Sequence, residues 1–451
     1  MNNIEVGQEL ELHIEKMASK GQGIARYNGM TVFVEKAIAD ETVQARVTKV
    51  KKDYSVALTV RVLEKSTHRI DPLCPVSEEC GGCQLQHMDY EGELAFKKGE
   101  VKDALRRLGH IDVEINDVIG MDNPCYYRNK AEYPVAYVDG KAVMGLYKVR
   151  SHDVVPIDKC MIQNEKSQVV AREILDFIRD HGISVYDERT KHGLVRHIMT
   201  RCSRRGEVMA VVVAKEGSLP YKQELIVKLK TINGFAGLIL NINPKETNVV
   251  LGDKNILLYG EDRIVDKIGD LEFYISPASF FQVNPVQTEI LYSKVLKFAA
   301  LQGNELVIDA YCGVGTISLF LAQRAYHVIG IEAAGKAVRD AKENARLNDI
   351  SNADFIAGRS ENVMEKLIKQ DIKPDVIVVD PPRKGCDAAV LKSMGKMSPK
   401  RIVYVSCNPS TLARDLKQLS NMYSIKEVQP VDMFPRTAHV EIVVLLQRGN
   451  L

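Results

Sequence analysis

The sequence predicts an α/β protein with a C-terminal doubly wound sheet, an N-terminal small β-barrel and a central α+β domain. Three observations predict this class. Strands and helices alternate regularly after about residue 275, short alternating strands fill residues 1–62, and mixed α/β runs lie between them. We therefore expect domains at residues 1–62, 63–274 and 275–451 of the 451-residue chain.

The first domain is predicted from runs in which Val, Ile and Thr alternate with charged side chains. Gly21, Gly23, Asn28 and Gly29 supply turns between these runs. Short strands at this spacing indicate a small closed barrel, a shape that often binds nucleic acid but also serves as a simple packing module.

The central domain begins with a cysteine-bearing segment that leads into an amphipathic helix from about Tyr90 to Leu108. Strand-type runs then surround a second helix near SQVVAREILDFIRDH, and they read YRNKAEYPVAYV, MAVVVA and FAGLILNIN. This mixture predicts α+β structure rather than a regular βα repeat.

The C-terminal domain alternates helices with strands. The predicted helices are VQTEILYSKVLKFAAL, TISLFLAQRA, KAVRDAKENARLN and DAAVLKSMGKM, and the predicted strands are ELVIDAYC, HVIGIEA, PDVIVVD, RIVYVSC and HVEIVVLLQ. This order predicts a mostly parallel sheet with helices on both faces.

Composition sets limits on compartment and partners. No apolar run approaches the roughly 20 residues needed to cross a bilayer, and the N-terminus lacks the apolar core of a signal peptide, so we expect a cytoplasmic protein without a membrane partner. The net charge of +2 does not by itself require an anionic partner. Basic residues cluster locally at 46–52 and 196–205, where they could neutralise phosphates or form a solvated face.

A glycine-rich turn follows the first strand of the C-terminal domain. It reads Asp309-Ala-Tyr-Cys-Gly-Val-Gly315-Thr, and Glu332 ends the next strand. Glycines let the backbone approach a ligand, and a carboxylate at the second position is suited to the ribose hydroxyls. Ser318 stands where a dinucleotide motif has its third glycine, which favours S-adenosylmethionine over a nicotinamide cofactor.

Two further motifs end strands at the same predicted edge. Asp380-Pro-Pro-Arg follows PDVIVVD, Ser-Cys407-Asn-Pro follows RIVYVSC, and Glu441 opens the last strand. A thiolate that adds to C6 of uracil makes C5 nucleophilic, and a base must then remove the C5 proton. The edge therefore holds one thiol, candidate bases and a predicted methyl-donor site, as methylation at a weakly nucleophilic carbon requires.

At these residues the chain resembles the RNA (uracil-5-)-methyltransferase family. The motifs are FFQVN, DAYCGVGTISL, DPPRKG, SCNP and RTAHVE, which together cover most of residues 275–451. The resemblance implies a Rossmann-like methyltransferase sheet and methylation of C5 of a uridine in RNA, with Cys407 as nucleophile and Glu441 as base. It implies S-adenosylmethionine contacts from Gln282, Tyr311, Glu332 and Asp380, although Asp380 could face the uracil instead.

The N-terminal barrel resembles the TRAM domain of the ribosomal RNA members, on the GQGIAR segment and the strand pattern. The barrel and the cysteines favour 23S ribosomal RNA as partner over transfer RNA, and no DNA partner is expected.

Four cysteines form a candidate metal site: Cys74, Cys80, Cys83 and the remote Cys160. Four thiolates suit either tetrahedral zinc or an iron–sulfur cluster, and their spacing does not decide between the two. Their similarity to the site of the ribosomal RNA members of the family implies a [4Fe-4S] cluster, with zinc as the alternative.

Two alternatives come from other classes of protein. A nicotinamide-dependent oxidoreductase with an iron–sulfur centre explains the glycine turn and the cysteines but leaves the DPPR and SCNP motifs without a role. A non-catalytic RNA-binding assembly factor explains the barrel and the basic clusters. Both Cys407 and Glu441 are present, which favours the enzyme.

Overall fold

The computed structural model describes residues 4–449 and begins with a curled six-stranded sheet. Its strands, in the sheet order β1-β5-β6-β4-β3-β2, are β1 (Glu9–His13), β2 (Lys16–Met17), β3 (Gly23–Tyr27), β4 (Met30–Glu35), β5 (Thr42–Val50) and β6 (Tyr54–Glu64).

A bent segment that joins β1 to β2 closes this sheet on itself. β1 pairs with β5, whereas β2 pairs with β3 on the other side. Between them, the Ile14 N–H donates to the Glu41 carbonyl at 2.8 Å and the Glu15 N–H donates to the Ile24 carbonyl at 2.8 Å. The Ile14 side chain is fully buried in the barrel core.

The central region contains a second, seven-stranded sheet. Its elements are α1 (Tyr90–Ala104) with a π-helical turn (Leu105–Gly109), β7 (Lys130–Val138), β8 (Lys141–Tyr147), β9 (Val154–Pro156), α2 (Glu165–Asp180), β10 (Val195–Cys202), β11 (Val208–Ala214), α3 (Lys222–Lys230), β12 (Phe235–Ile242) and β13 (Lys254–Gly260). The order is β13-β12-β11-β10-β7-β8-β9, and β11 pairs with β12 in parallel. Every residue of β10 and β11 is buried, so these strands form the centre of the domain.

The C-terminal region holds a third sheet of seven strands, which is preceded by a hairpin. Its elements are β14 (Ile264–Ile268), β15 (Leu271–Ile275), α4 (Pro285–Ala299), β16 (Leu306–Asp309), α5 (Thr316–Ala322), β17 (His327–Glu332), α6 (Gly335–Leu347), β18 (Ala353–Ala357), α7 (Ser360–Lys369), β19 (Val376–Val379), α8 (Ala388–Met397), β20 (Arg401–Ser406), α9 (Pro409–Leu419), β21 (Tyr423–Val431) and β22 (Glu441–Arg448). The order is β18-β17-β16-β19-β20-β22-β21, with β22 antiparallel to both neighbours.

This architecture confirms the predicted α/β class, with a mostly parallel sheet after an N-terminal domain of strands. In the C-terminal sheet and its helices, four elements, β18, α7, α9 and β21, were not predicted from the sequence. The α1 region was predicted as the start of the central domain. Instead it packs against the C-terminal sheet, where Val101, Leu105 and Ile115 join the core on one face. The division at residues 62 and 274 remains a proposal.

Among residues 4–449, no helix combines the length and apolar character that a bilayer crossing requires.

Candidate active site

The candidate site lies at one edge of the C-terminal sheet. Asp309 and Glu332 end the parallel strands β16 and β17, and Asp380 and Cys407 directly follow β19 and β20. Because β22 is antiparallel, its first residue, Glu441, lies at this same edge. Ser406 pairs with Ile442, and one further step of that register sets Cys407 opposite Glu441.

A cleft of about 980 Å³ opens over this edge. All six residues predicted to act in catalysis or in cofactor binding line it: Gln282, Tyr311, Glu332, Asp380, Cys407 and Glu441. The volume is at the upper end of the range for small-molecule sites. The cleft therefore has room for a nucleotide-sized cofactor beside a second reactant.

The glycine turn forms one wall of the cleft. Gly313 and Gly315 have φ values of +54° and +86°, a backbone region that favours glycine. The Glu332 carboxylate accepts hydrogen bonds from the Gly313 N–H at 3.2 Å and from the Ala334 N–H at 2.7 Å. These bonds fix the carboxylate, and its remaining lone pairs stay available to ribose hydroxyls.

Behind this turn lies a fully buried carboxyl group. Asp309 Oδ2 accepts a hydrogen bond from the Ser318 hydroxyl at 2.6 Å, while Asp309 Oδ1 has no partner. Burial raises the pKa of Asp309 to about 6. Ser318 thus supports the carboxyl beneath the turn, at the position where a dinucleotide motif would have glycine.

The opposite wall is the loop that carries the FFQVN motif. The buried Arg201 guanidinium donates to the carbonyls of Pro277 at 3.2 Å and Ser279 at 2.5 Å. The Asn129 amide donates to the Gln282 carbonyl at 3.0 Å. Central-domain side chains therefore hold this loop in place, and Phe280 is left 73% exposed at the cleft.

Electrostatics in the cleft favour neutral forms of the reactive groups. Burial, together with the charges of Glu441 and Asp380, raises the pKa of the Cys407 thiol to about 11, although the Arg383 guanidinium opposes the shift. Burial also raises the pKa of Glu441, with Asp380 adding to the effect. A low-dielectric site disfavours several like charges close together, so these groups favour their protonated forms.

A buried ion cluster holds the loop of residues 432–440 that leads to Glu441. The fully buried Lys97 ammonium contacts the Glu93 carboxylate at 2.7 Å and the Asp432 carboxylate at 2.6 Å. The Tyr90 hydroxyl donates to Asp432 at 2.8 Å, and the Arg436 N–H donates to Glu93 at 2.7 Å. Helix α1 is thereby fastened to the segment that carries the candidate base.

The four predicted metal-binding cysteines lie in one neighbourhood. Burial raises the pKa values of Cys80, Cys83 and Cys160, and nearby cysteines contribute to each shift. The Gly82 N–H donates to the Cys80 sulfur at 3.4 Å. Within residues 4–449, however, no three His, Cys, Asp or Glu side chains are arranged as ligands of a metal ion.

The basic stretch 196–205 is not an open phosphate-binding face. Arg196 and Arg201 are 3% and 4% exposed, and Arg196 donates to the carbonyls of Asn243 and Lys245. Arg204 and Arg205 pair with glutamates. In contrast, Lys49, Lys51 and Lys52 of the first cluster are exposed.

The sequence analysis gave no role to two residues of the cleft, Arg383 and His439. The Arg383 guanidinium lies 3.3 Å from His439 Nε2. Burial and the charge of Arg383 lower the pKa of His439, so the ring favours its neutral form. Arg383 belongs to the DPPR motif, which was the available signal, whereas nothing in the sequence places His439 beside it.

Comparison with known proteins identifies the family of this chain. Residues 254–449 match the family described as "tRNA (Uracil-5-)-methyltransferase", and residues 4–57 match the TRAM domain family. An uncharacterized RNA methyltransferase of Clostridium tetani is 49% identical over 96% of this chain and 95% of its own. Another, from Caldanaerobacter subterraneus, is 47% identical over 99% of this chain and 100% of its own.

A solved structure is similar along the whole chain. The tRNA (uracil-54, C5)-methyltransferase of Pyrococcus abyssi, in complex with S-adenosyl-L-homocysteine, is 27% identical with a TM-score of 0.77. The match covers 97% of this chain and 100% of that one. A chain with this fold and this cleft is an S-adenosylmethionine-dependent methyltransferase. It belongs to the RNA (uracil-5-)-methyltransferase family and carries an N-terminal TRAM domain.

The ion cluster predicts a large stability difference between two adjacent lysines. Lys97→Met leaves two buried carboxylates without their cation, so we expect a loss of about 3–5 kcal/mol in the free energy of unfolding. The matched control is Lys98→Met, because Lys98 pairs with Asp117 at the surface and should change stability little. Urea unfolding of both variants measures the difference. Equal urea midpoints for the two variants would contradict a stabilising role for the buried ion cluster.

The raised thiol pKa predicts the pH dependence of Cys407 alkylation. Only the thiolate reacts with iodoacetamide, so the rate should rise about tenfold per pH unit and show no plateau before about pH 10. At the alkaline pH at which the thiol ionises, the charge of an ionised Glu441 opposes the thiolate, so Glu441→Gln should move the profile to lower pH. The control is Glu427→Gln, which changes a carboxylate on the neighbouring strand β21, and it should not move the pH profile. Mass spectrometry of the Cys407 peptide gives the rates, and a plateau near pH 8 would contradict the electrostatic picture.

Proposed function

We propose that this enzyme methylates C5 of a uridine in 23S ribosomal RNA, with Cys407 as nucleophile and Glu441 as base. The observation that carries the proposal is the register of β20 and β22, which sets these two residues opposite each other at the cleft. Gln282, Tyr311, Glu332 and Asp380 would bind S-adenosylmethionine from the surrounding walls.

The proposed reaction begins when Cys407 loses its proton to solvent water, a step that the Arg383 guanidinium favours electrostatically. The thiolate then forms a bond to C6 of the uracil, and the electron pair moves through C5 to O4 as an enolate. S-adenosylmethionine supplies the methyl group as a sulfonium. After C5 acquires this methyl and the donor leaves as the thioether S-adenosylhomocysteine, Glu441 acts in its ionised form, which the Arg383 guanidinium favours. Its carboxylate removes the C5 proton, the C6–S bond breaks, and the thiolate leaves.

The site also explains why the target base has to leave its stack. Cys407 lies at the edge of a sheet inside a cleft, so C6 of a stacked base is out of reach of the thiol. Enzymes with this problem flip the nucleotide into the pocket. The exposed ring of Phe280 at the cleft provides an apolar face for that base or its neighbour.

The resemblance of the barrel and of the four cysteines to the ribosomal RNA members of the family supports ribosomal RNA as substrate. Transfer RNA is the second candidate, favoured by the 27% identical Pyrococcus abyssi enzyme, which acts on tRNA. Tritium release from 5-³H-uridine-labelled ribosomal and transfer RNA transcripts tests both. Release that depends on S-adenosylmethionine identifies C5 as the site, and the substrate that supports it names the RNA. Methyl transfer without tritium release would overturn the mechanism.

We also propose that Cys74, Cys80, Cys83 and Cys160 bind a [4Fe-4S] cluster, with zinc as the alternative occupant. An all-sulfur donor set suits both, and a hydrogen bond to the Cys80 sulfur is of the kind that tunes iron–sulfur sites. The thiols lie near enough to raise one another's pKa but would have to turn toward a common centre. Uracil methylation itself requires no electron transfer, so the cluster would hold the loop of Cys80 and Cys83 in place.

Replacement of the two catalytic candidates should give different defects. Cys407→Ala should still bind S-adenosylmethionine, by calorimetry, but lose methylation entirely. Glu441→Gln should accumulate a covalent protein–RNA adduct, because C5 is methylated but its proton cannot leave. Denaturing gels detect the adduct. The control, Cys125→Ala, removes a thiol outside the cleft and should behave as wild type. Turnover by Cys407→Ala, or free methylated RNA from Glu441→Gln, would remove that residue from its role.

The cluster is tested by metal content. Anaerobically purified protein should contain about four iron and four sulfide per chain, and Cys160→Ser should lose both. Cys125→Ser serves as the control that retains them. Zinc in place of iron would show that the four cysteines bind zinc rather than a cluster. Protein without either metal would contradict the proposed metal site.

A further inference from the structure

A second pocket of about 400 Å³ lies next to the cleft. Its walls come from the barrel, from the cysteine loop (residues 72–87), from residues 149–150 and from the loop of residues 432–440. Cys80 and Cys83 are part of the wall, whereas the other two proposed cluster ligands, Cys74 and Cys160, do not line the pocket, so a cluster would lie behind this wall. His439 lines both this pocket and the cleft. A strand of RNA whose target base enters the cleft can therefore place a neighbouring nucleotide in the second pocket.

The pocket contains a buried polar group without a partner. His87 lines it, is 8% exposed, and has no hydrogen-bond partner for Nε2. Burial, together with the charges of Arg69 and Lys36, lowers the pKa of His87 to about 3, so the ring is neutral. A buried imidazole nitrogen without a partner costs free energy, which a ligand that bonds to it would recover. The neutral ring can donate or accept at Nε2, depending on its tautomer.

A close approach between two segments fixes the shape of the pocket. Gly21 of the barrel has φ +75°, and a Cβ there would lie 3.0 Å from Leu85 Cδ2 and 3.3 Å from the Gln84 Cβ. Only glycine fits this approach without strain. The barrel and the cysteine loop therefore meet as preformed walls rather than as separate surfaces.

The charges at the pocket suit a phosphodiester at its rim. Lys20, Lys36 and Arg150 line it, against the two acids Glu78 and Glu35, which pair with Lys36 and Arg150 respectively. Lys20 is exposed. The three cations exceed the two acids by one. This net positive charge favours an anionic RNA strand, although the electrostatic field of the pocket as a whole is weak. Exposed apolar surface from Val149 adds a face for a base.

We propose that this pocket binds the base of an unpaired nucleotide near the target uridine in the same RNA strand. The inference rests on the proposed RNA methylation and adds a second recognition point to it. His87 Nε2 bonds to an edge of the base, the apolar wall contacts its face, and Lys20 lies near its phosphate. Recognition of unpaired bases through edge bonds and stacking is the usual mode for sequence-specific RNA readers.

The test compares His87→Leu with wild type on the transcript that releases most tritium. His87→Leu should raise KM for that RNA about tenfold, with kcat and S-adenosylmethionine affinity unchanged. Transcripts that each lack one base beside the target uridine locate the nucleotide. Loss of one particular base should raise KM for wild type, but the same loss should not raise KM further for His87→Leu. His192→Leu, at an exposed histidine of the central domain, is the matched control. An unchanged KM for His87→Leu would contradict the proposal. The proposal would also fail if His87→Leu and the abasic substitution raised KM additively at every position.

A second measurement separates this proposal from the proposed function. Fluorescence anisotropy of labelled ten-nucleotide oligouridylate and oligoadenylate measures binding without turnover. Ser19→Trp fills the pocket from the exposed barrel side and removes no buried group. Both His87→Leu and Ser19→Trp should weaken binding of at least one oligonucleotide, even if no transcript is methylated. Affinities equal to those of the wild type and of His192→Leu would overturn the pocket, whatever the outcome of the methylation assays.

Discussion

The arrangement of the active site depends on one buried cation. Lys97 contacts Glu93 within α1 and Asp432 at the start of the 432–440 loop, and all three groups are fully buried or nearly so. Removing such charges from water is expensive, and the contacts compensate only if the geometry is held. The cysteine loop joins the same assembly, because the Gln84 and Leu85 N–H groups both donate to the Arg436 carbonyl at 3.1 Å. Barrel, cysteine loop and catalytic sheet therefore meet around the loop that ends at Glu441.

The sequence was sufficient to predict the sheet edge and most of its residues. Parallel strands bring their carboxyl ends to one edge, so Glu332, Asp380 and Cys407 could be placed together from strand order alone. The partner of α1 could not be predicted, since an amphipathic period shows that a face is buried but not against which sheet. The basic stretch around Arg196 was similarly ambiguous. Composition cannot distinguish a guanidinium that binds phosphate from one that donates to buried carbonyls.

The cleft combines two requirements that oppose each other. Exclusion of water would protect the proposed covalent chemistry and strengthens local interactions, but the same burial raises the pKa of the Cys407 thiol, which that chemistry requires as a thiolate. Asp380 and Glu441 increase this penalty, and Arg383 reduces it. With Arg383 already in place, the Cys407 thiol still favours its neutral form, so the proposed nucleophile would be poorly reactive until a substrate changes its surroundings. Such a thiol is protected from adventitious alkylation and oxidation in the absence of RNA.

The antiparallel placement of β22 has a consequence for how this chain can vary. Cys407, the proposed nucleophile, directly follows β20, and Glu441, the proposed base, opens the neighbouring strand β22. Their separation is therefore set by strand register rather than by flexible side chains. A one-residue insertion or deletion between β21 and β22 that slipped this register would turn Glu441 to the opposite face of the sheet. The nine residues of the 432–440 loop lead directly into Glu441, so a change in their length bears on this register more directly than one in the turns at the far end of the sheet.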